Sequence, residues 1–119
     1  MRLILPGFHR LLDFVTIIAF ALAPSVLSLS GFAATLAYLL ACVHLALTVL
    51  SQFPGARARL VPLPLHGAVE CLVGLVLLGL PWALGWTGAA RAFYTAAGAV
   101  ILIVWLLSDY RASKVEAAA

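Results

Sequence analysis

Residues 9–31, HRLLDFVTIIAFALAPSVLSLSG, and residues 66–88, HGAVECLVGLVLLGLPWALGWTG, decide the fold. Laid one over the other they align without a gap: His9 falls on His66, Asp13 on Glu70, Pro24 on Pro81 and Gly31 on Gly88. Further along, Ser51 falls on Ser108 at the same offset. Matched leucines would mean little in so apolar a chain. The matches here are ionisable groups, helix breakers and turn glycines, which carry structural information. Each half reads as a hairpin of two apolar runs, residues 8–51 and residues 65–108. The expected fold class is all-α: a four-helix transmembrane bundle made of two tandem duplicated hairpins, forming a single membrane domain over residues 1–119.

Composition supports lipid as the solvent. The chain is 66% hydrophobic and 9% charged, whereas soluble domains carry roughly a quarter charged residues. A spanning helix needs about 20 mostly apolar residues. Four such runs are read, at about Phe8–Leu29, Phe32–Leu50, Leu65–Leu84 and Ala89–Leu107. Ser30-Gly31 and the segment Gly85 to Gly88 make the tight turns, and a Pro/Gly-marked loop from Ser51 to Arg59 joins the halves. In hydrocarbon the backbone must satisfy its own hydrogen bonds, so these runs are helices and not strands. No signal-peptide pattern is read in the first run, which is interrupted by Pro6, Gly7, His9, Arg10 and Asp13. Cys42 and Cys71 fall inside apolar runs and are expected to act as small buried hydrophobes.

The net charge of +3 is not a nucleic-acid footprint, because its placement explains it. Arg2, Arg10, Arg57, Arg59, Arg111 and Lys114 fall on one side of the four spans and only Arg91 on the other. Basic residues concentrate in cytoplasmic loops, so both termini and the middle loop are expected in the cytoplasm. Trp82 and Trp86 fall at the outer ends of the third and fourth spans, and Trp105 and Tyr110 near the inner end of the fourth. Such rings favour the headgroup level.

The candidate chemistry lies in the paired ionisable residues. His9 and Asp13 are spaced i, i+4 and share a helix face, and His66 and Glu70 repeat the arrangement. His44 lies seven residues before Ser51, about 10 Å along its helix from the same membrane face. Ionisable groups in a span are costly and mark functional sites by default. Imidazoles with carboxylates suit several divalent transition ions. Against this stands a structural reading, in which the pairs cap helices, with Asp13 and Glu70 favoured by the helix macrodipole, and tie the first span to the third. The carboxylates are expected to face the bundle interior, near one another or near His44. Pro24 and Pro81 are read as shaping helix ends and seating Trp82 at the interface. Ala33, Ala37 and Ala41 form a small-residue row, with Ala90, Tyr94 and Gly98 at the offset positions, suited to close helix packing or dimerisation.

The order His-x-x-x-Asp/Glu, an apolar run, Pro-Trp and a turn resembles the SPW repeat of small bacterial membrane proteins. His66, Glu70, Gly74, Pro81, Trp82 and Gly85 stand where that pattern expects them. The first half keeps His9, Asp13 and Pro24 but has Ile17 for the glycine and Ser25 for the tryptophan, and the motif's own serine is replaced by Ala23 and Leu80. The resemblance covers residues 8 to 110. It implies a four-span fold in the bacterial cytoplasmic (inner) membrane, and no activity.

No phosphate-binding glycine loop, Cys-x-x-Cys motif or extramembrane catalytic domain is read, so a non-enzymatic role is expected. The leading expectation is a scaffold, accessory or oligomer-forming module of the membrane, without a cofactor. Its partners would be the lipid bilayer and a second copy or another membrane protein. The alternative is a small transporter or proton-coupled carrier using Asp13 and Glu70. A third reading is metal or haem binding through His9, His66 and His44. The orientation is directly testable. Reporter fusions after residue 119 and within the Gly85–Gly88 turn should report opposite sides, and a periplasmic signal from the C-terminal fusion overturns it.

Overall fold

The computed structural model describes residues 2–110. Four helices follow in order: α1 (Pro6–Val26), α2 (Gly31–Leu50), α3 (Leu63–Ala83) and α4 (Gly88–Leu107). Among the described residues there is no strand. All four helices are long and apolar enough to cross a membrane. Arg111 and Lys114 of the basic count lie outside the described residues. The offset that carries His9 onto His66 also carries both bounds of α1 onto those of α3, and both bounds of α2 onto those of α4. The main helix contacts are α1 on α2 and α3 on α4.

The larger departures from the sequence reading are the starts of α1 and α3 and the end of α1, at Val26 and not Leu29, and each lies beside a proline. α1 starts at Pro6 and α3 has Pro64 in its first turn, where the missing N–H costs nothing, so each helix begins two residues earlier than its apolar run suggested. At the other end, Pro24 and Pro81 lie inside the last turn. Their carbonyls accept the N–H of Leu29 at 2.9 Å and of Trp86 at 2.7 Å. Ser28 and Gly85 occupy the left-handed region in between, at φ 53° and 68°. These are Schellman ends, which use carbonyls that the helix leaves free.

The polar and apolar faces are inverted relative to a water-soluble bundle. On α1, Leu11, Val15, Ile18 and Leu22 point outward and are 54–57% exposed. His9 and Asp13, on the same helix, are 1% and 3% exposed. A continuous exposed apolar surface of this kind fits hydrocarbon and not water. The interior at mid-height is apolar, built on Ile17, Phe20, Ala33, Ala37, Leu77 and Tyr94. Small residues set the spacing: a Cβ on Gly98 would fall 2.9 Å from the Gly74 carbonyl oxygen and 3.0 Å from the Leu78 nitrogen. Tyr94 joins the hairpins by donating its hydroxyl to the Ala33 carbonyl at 2.6 Å.

The hairpins also clasp each other at one end. Ile4 donates to Leu107 at 2.9 Å and accepts from Asp109 at 2.8 Å. Val61 donates to Leu50 at 2.9 Å and accepts from Gln52 at 2.8 Å, which is the same pattern in the other half of the offset. These bonds hold the segment before each odd-numbered helix against the end of an even-numbered one. In doing so they set Ser51 and Ser108 at the first turns of α3 and α1. Cys42 departs from the expectation of burial. The inward face of α2 runs through Ala33, Ala37, Ala41, His44 and Thr48, and Cys42 is turned off it and exposed, while Cys71 is half-buried.

Candidate functional site

At the clasped end, the α1, α2 and α3 side chains read from the sequence converge. His9, Asp13, His66 and Glu70 each present one ligating atom, and these atoms all lie within 4.8 Å of one another. His9 Nε2 is 3.2 Å from Asp13 Oδ1 and 3.1 Å from Glu70 Oε2. His66 Nε2 is 3.1 Å from Asp13 Oδ2 and 3.2 Å from Glu70 Oε1. Exchanging His9 with His66 and Asp13 with Glu70 reproduces the set. His44 Nε2 stands further back, 3.4 Å from Asp13 Oδ1 and 3.8 Å from Glu70 Oε1. The position that the offset pairs with His44 is Ile101, so this histidine has no counterpart.

The capping reading does not hold. Neither α1 nor α3 has an acidic residue in its first turn, because both helices start at the prolines and leave Asp13 and Glu70 about two turns in. The carboxylates face the interior instead, 3% and 4% exposed. Cys42 and Cys71 contribute no sulfur to the four-donor set.

Residues that the sequence reading did not assign to the site complete it. His9 Nδ1 is 2.6 Å from Ser108 Oγ, and His66 Nδ1 is 2.7 Å from Ser51 Oγ. Each serine belongs to the other hairpin from its histidine. Each serine also donates its hydroxyl proton to the carbonyl four residues back, Val104 or Leu47. A hydroxyl has one proton, so toward the imidazole each serine must accept. Nδ1 therefore carries the ring N–H, and in the neutral ring the Nε2 lone pair points into the cluster. His44 Nε2 and His66 Nε2 have carboxylate oxygens nearby, but none in a direction that makes a hydrogen bond. His9 Nε2 does face Glu70 Oε1, at 3.3 Å, and there a lone pair meets a carboxylate unless a proton or a cation lies between them. The Nε2 atoms of His9 and His66 and the carboxylate oxygens thus converge on a common volume.

The cluster is sealed toward its own end of the bundle. Phe53 stacks on His9 at 5.7 Å and meets His66 edge-on at 5.0 Å between ring centroids. Tyr110, expected at the headgroup level, is turned inward. Its ring meets His9 at 5.2 Å and its hydroxyl donates to Glu70 Oε2 at 2.8 Å. Burial, with the Glu70 carboxylate beside it, pushes the Tyr110 phenol up and keeps it a donor. Gly67 makes room for this, because a Cβ there would lie 3.0 Å from the Tyr110 ring. Thr48 donates to Asp13 Oδ2 at 3.4 Å. Ser51 and Ser108 were visible in the offset alignment as matched polar positions. Phe53 and Tyr110 share the same offset, but as unlike rings they gave no signal.

The fold and site together define a membrane-type four-helix bundle with a buried histidine–carboxylate centre built by both of its hairpins. No family model, curated protein or solved structure matches the chain.

The serine-set tautomers can be read directly. Ring-nitrogen NMR of the neutral imidazoles should show the proton on Nδ1 for His9 and His66. Ser108→Ala should release His9 alone and Ser51→Ala should release His66 alone. Neutral rings protonated mainly at Nε2 would refute the arrangement.

Proposed function

We propose that this chain is an integral membrane protein whose centre binds one divalent transition-metal ion through His9, Asp13, His66 and Glu70. The observation that carries this reading is the convergence of imidazole lone pairs and carboxylate oxygens on one buried point, with tautomers preset by Ser51 and Ser108. Each Nε2 lies 3.1–3.2 Å from one oxygen of each carboxylate, a different oxygen for each histidine, and one ligating atom from each of the four residues lies within 4.8 Å of the others. Two carboxylates bring a charge of −2, which a divalent ion cancels without further counter-charge. The Ser–His contacts match a common outer-shell device, in which the non-ligating ring N–H is held so that the other nitrogen faces the metal.

Donor chemistry narrows the ion. Imidazole disfavours magnesium and calcium, which prefer all-oxygen shells. Without thiolate the set lacks the soft ligand that selects copper(I). Manganese, iron, cobalt, nickel, copper(II) and zinc remain. A haem finds no space, because the cavity touching Asp13, His44 and Glu70 is only about 10 Å³. An architectural role alone does not account for the cluster, since apolar residues of the same volume stabilise an interior as well as or better than buried ionic groups. A scaffold or accessory role in the membrane is compatible with a metal centre and remains part of the proposal.

The inferred membrane setting belongs to the same reading. The helices would lie in the bacterial inner membrane with cytoplasmic termini, as supported by the basic bias and the SPW-like residues. The two hairpins would be duplicates related by a pseudo-two-fold axis along the membrane normal, as supported by the shared offset of helix bounds, serine contacts and clasp bonds.

Metal analysis of purified, chelator-stripped and reloaded protein should find one ion per chain. At 100 times Kd, bound ion should raise unfolding stability by about 2.7 kcal/mol. Asp13→Asn and His66→Ala should each abolish stoichiometric loading and the thermal shift. Ser51→Ala and Ser108→Ala should weaken binding by about 10–100-fold. Wild-type protein that holds no ion above background and shows no thermal shift with any of the six metals refutes the proposal.

A further inference from the structure

Resting on the metal-centre reading, the geometry points to an open coordination position on the His44 side, which takes one small exogenous ligand arriving from the bilayer between α1 and α4. Three observations lead there. The first is asymmetry. The four inner donors form a set that maps onto itself when the hairpins are exchanged, and His44 stands outside it, opposite Ile101 in the sequence offset. His44 Nε2 is 3.4 and 3.8 Å from the nearest carboxylate oxygens, against 3.1–3.2 Å for the inner histidines, so it is set back from the donor set. It is 8% exposed, and its Nε2 has no hydrogen-bond partner. A buried polar atom without a partner is costly, and a ligand placed beside it removes that cost.

The second observation is space. A cavity of about 10 Å³ adjoins His44, Asp13 and Glu70 and is also lined by Ile101 and Val104. A single buried water requires roughly 10–15 Å³. The room is therefore that of a single water-sized ligand beside the His44 ring.

The third is a route. Thr16, Val100 and Ile101 line this cavity and also line a larger groove of about 220 Å³ between α1 and α4. The rest of that groove is apolar, with Val15, Ala19 and Phe93 on its walls. Thr16 lies at the middle of α1 and Ala97 near the middle of α4, so the groove opens at the depth of the acyl chains. An ion or sugar does not travel this way. A small neutral molecule that dissolves in hydrocarbon does. At the opposite pole Phe53 and Tyr110 cover the cluster, so the bilayer side is the short way in. With His9, Asp13, His66 and Glu70 as ligands, an exogenous ligand takes a fifth position, an expansion that metal sites allow, and a site with such an exchangeable position can bind a substrate or a signalling ligand. The proposed ligand class is a small neutral diatomic that displaces the bound water from the ion, with the His44 ring beside it.

Nitric oxide on the iron(II)-loaded full-length protein in detergent or nanodiscs, kept anaerobic, tests this. The expected result is a high-spin iron–nitrosyl EPR signal that accounts for most of the bound iron. Per bound iron, Ile101→Phe should slow adduct formation at least tenfold and Ile101→Ala should not slow it. His44→Ala should speed nitric oxide loss. Iron-loaded wild-type protein that forms no nitrosyl adduct overturns the open position. Equal rates for wild type, Ile101→Phe and Ile101→Ala overturn the route. If Ile101→Phe fails to fold, the comparison of wild type with Ile101→Ala and Val100→Phe decides the route in the same way. Wild-type protein that takes up no iron, manganese, cobalt, nickel, copper(II) or zinc overturns the metal centre itself, and this inference with it.

Discussion

Two carboxylates, Asp13 and Glu70, are held in the dry end of a small helical bundle, and everything around them serves to make that tolerable. An isolated buried charge is strongly unfavourable in a low-dielectric interior. Here the oxygens have polar neighbours within reach: three imidazoles, the Tyr110 phenol and the Thr48 hydroxyl. With the ring protons of His9 and His66 held on the nitrogens that face Ser108 and Ser51, a positive charge at the centre has to enter on the Nε2 side. Two protons, one on each Nε2, or one divalent cation can supply it, and the metal-centre proposal takes the cation.

The same interaction explains how two weakly packed hairpins become one unit. Most helix contacts lie within each hairpin. Across the gap, His9 reaches Ser108, His66 reaches Ser51, Ile4 pairs with the end of α4 and Val61 with the end of α2. Hydrophobic burial offers little to hold helices together when lipid is as apolar as the interior, so packing and polar contacts must do it. The cluster and the clasp lie at one end, and the Tyr94–Ala33 bond with the small residues around it lies nearer the other. An ion at the centre would draw ligands from both hairpins and tighten the joint.

Much of this was legible in the sequence, and the misses have physical causes. Four helices follow from run length and apolarity. The pairs His9/Asp13 and His66/Glu70 were visible because ionisable residues stand out in an apolar background and recur at a fixed offset. The rival reading of the two carboxylates as caps fails because Pro6 and Pro64 start their helices earlier than the apolar runs suggest. Ser51 and Ser108 were visible as matches but not as partners, since a contact across hairpins depends on backbone pairing that no local pattern encodes. Tyr110 was assigned to the headgroup belt by its position at a span end. Its inward turn depends on Gly67, which removes the side chain that would have blocked it. The setback of His44 is a matter of a few tenths of an ångström, below what helical spacing resolves.

X-ray absorption at the K edge of the reloaded ion tests the central claim most directly, because it reads the ligands and not only the presence of metal. The expected shell is nitrogen and oxygen at about 2.0–2.2 Å, with the outer-shell scattering of two or more imidazoles, which diminishes by one ring in His66→Ala protein if any metal is retained. A shell of oxygen alone, a sulfur contribution from Cys71, or a spectrum unchanged by substitution of His9 and His66 would contradict a metal centre built by the two hairpins.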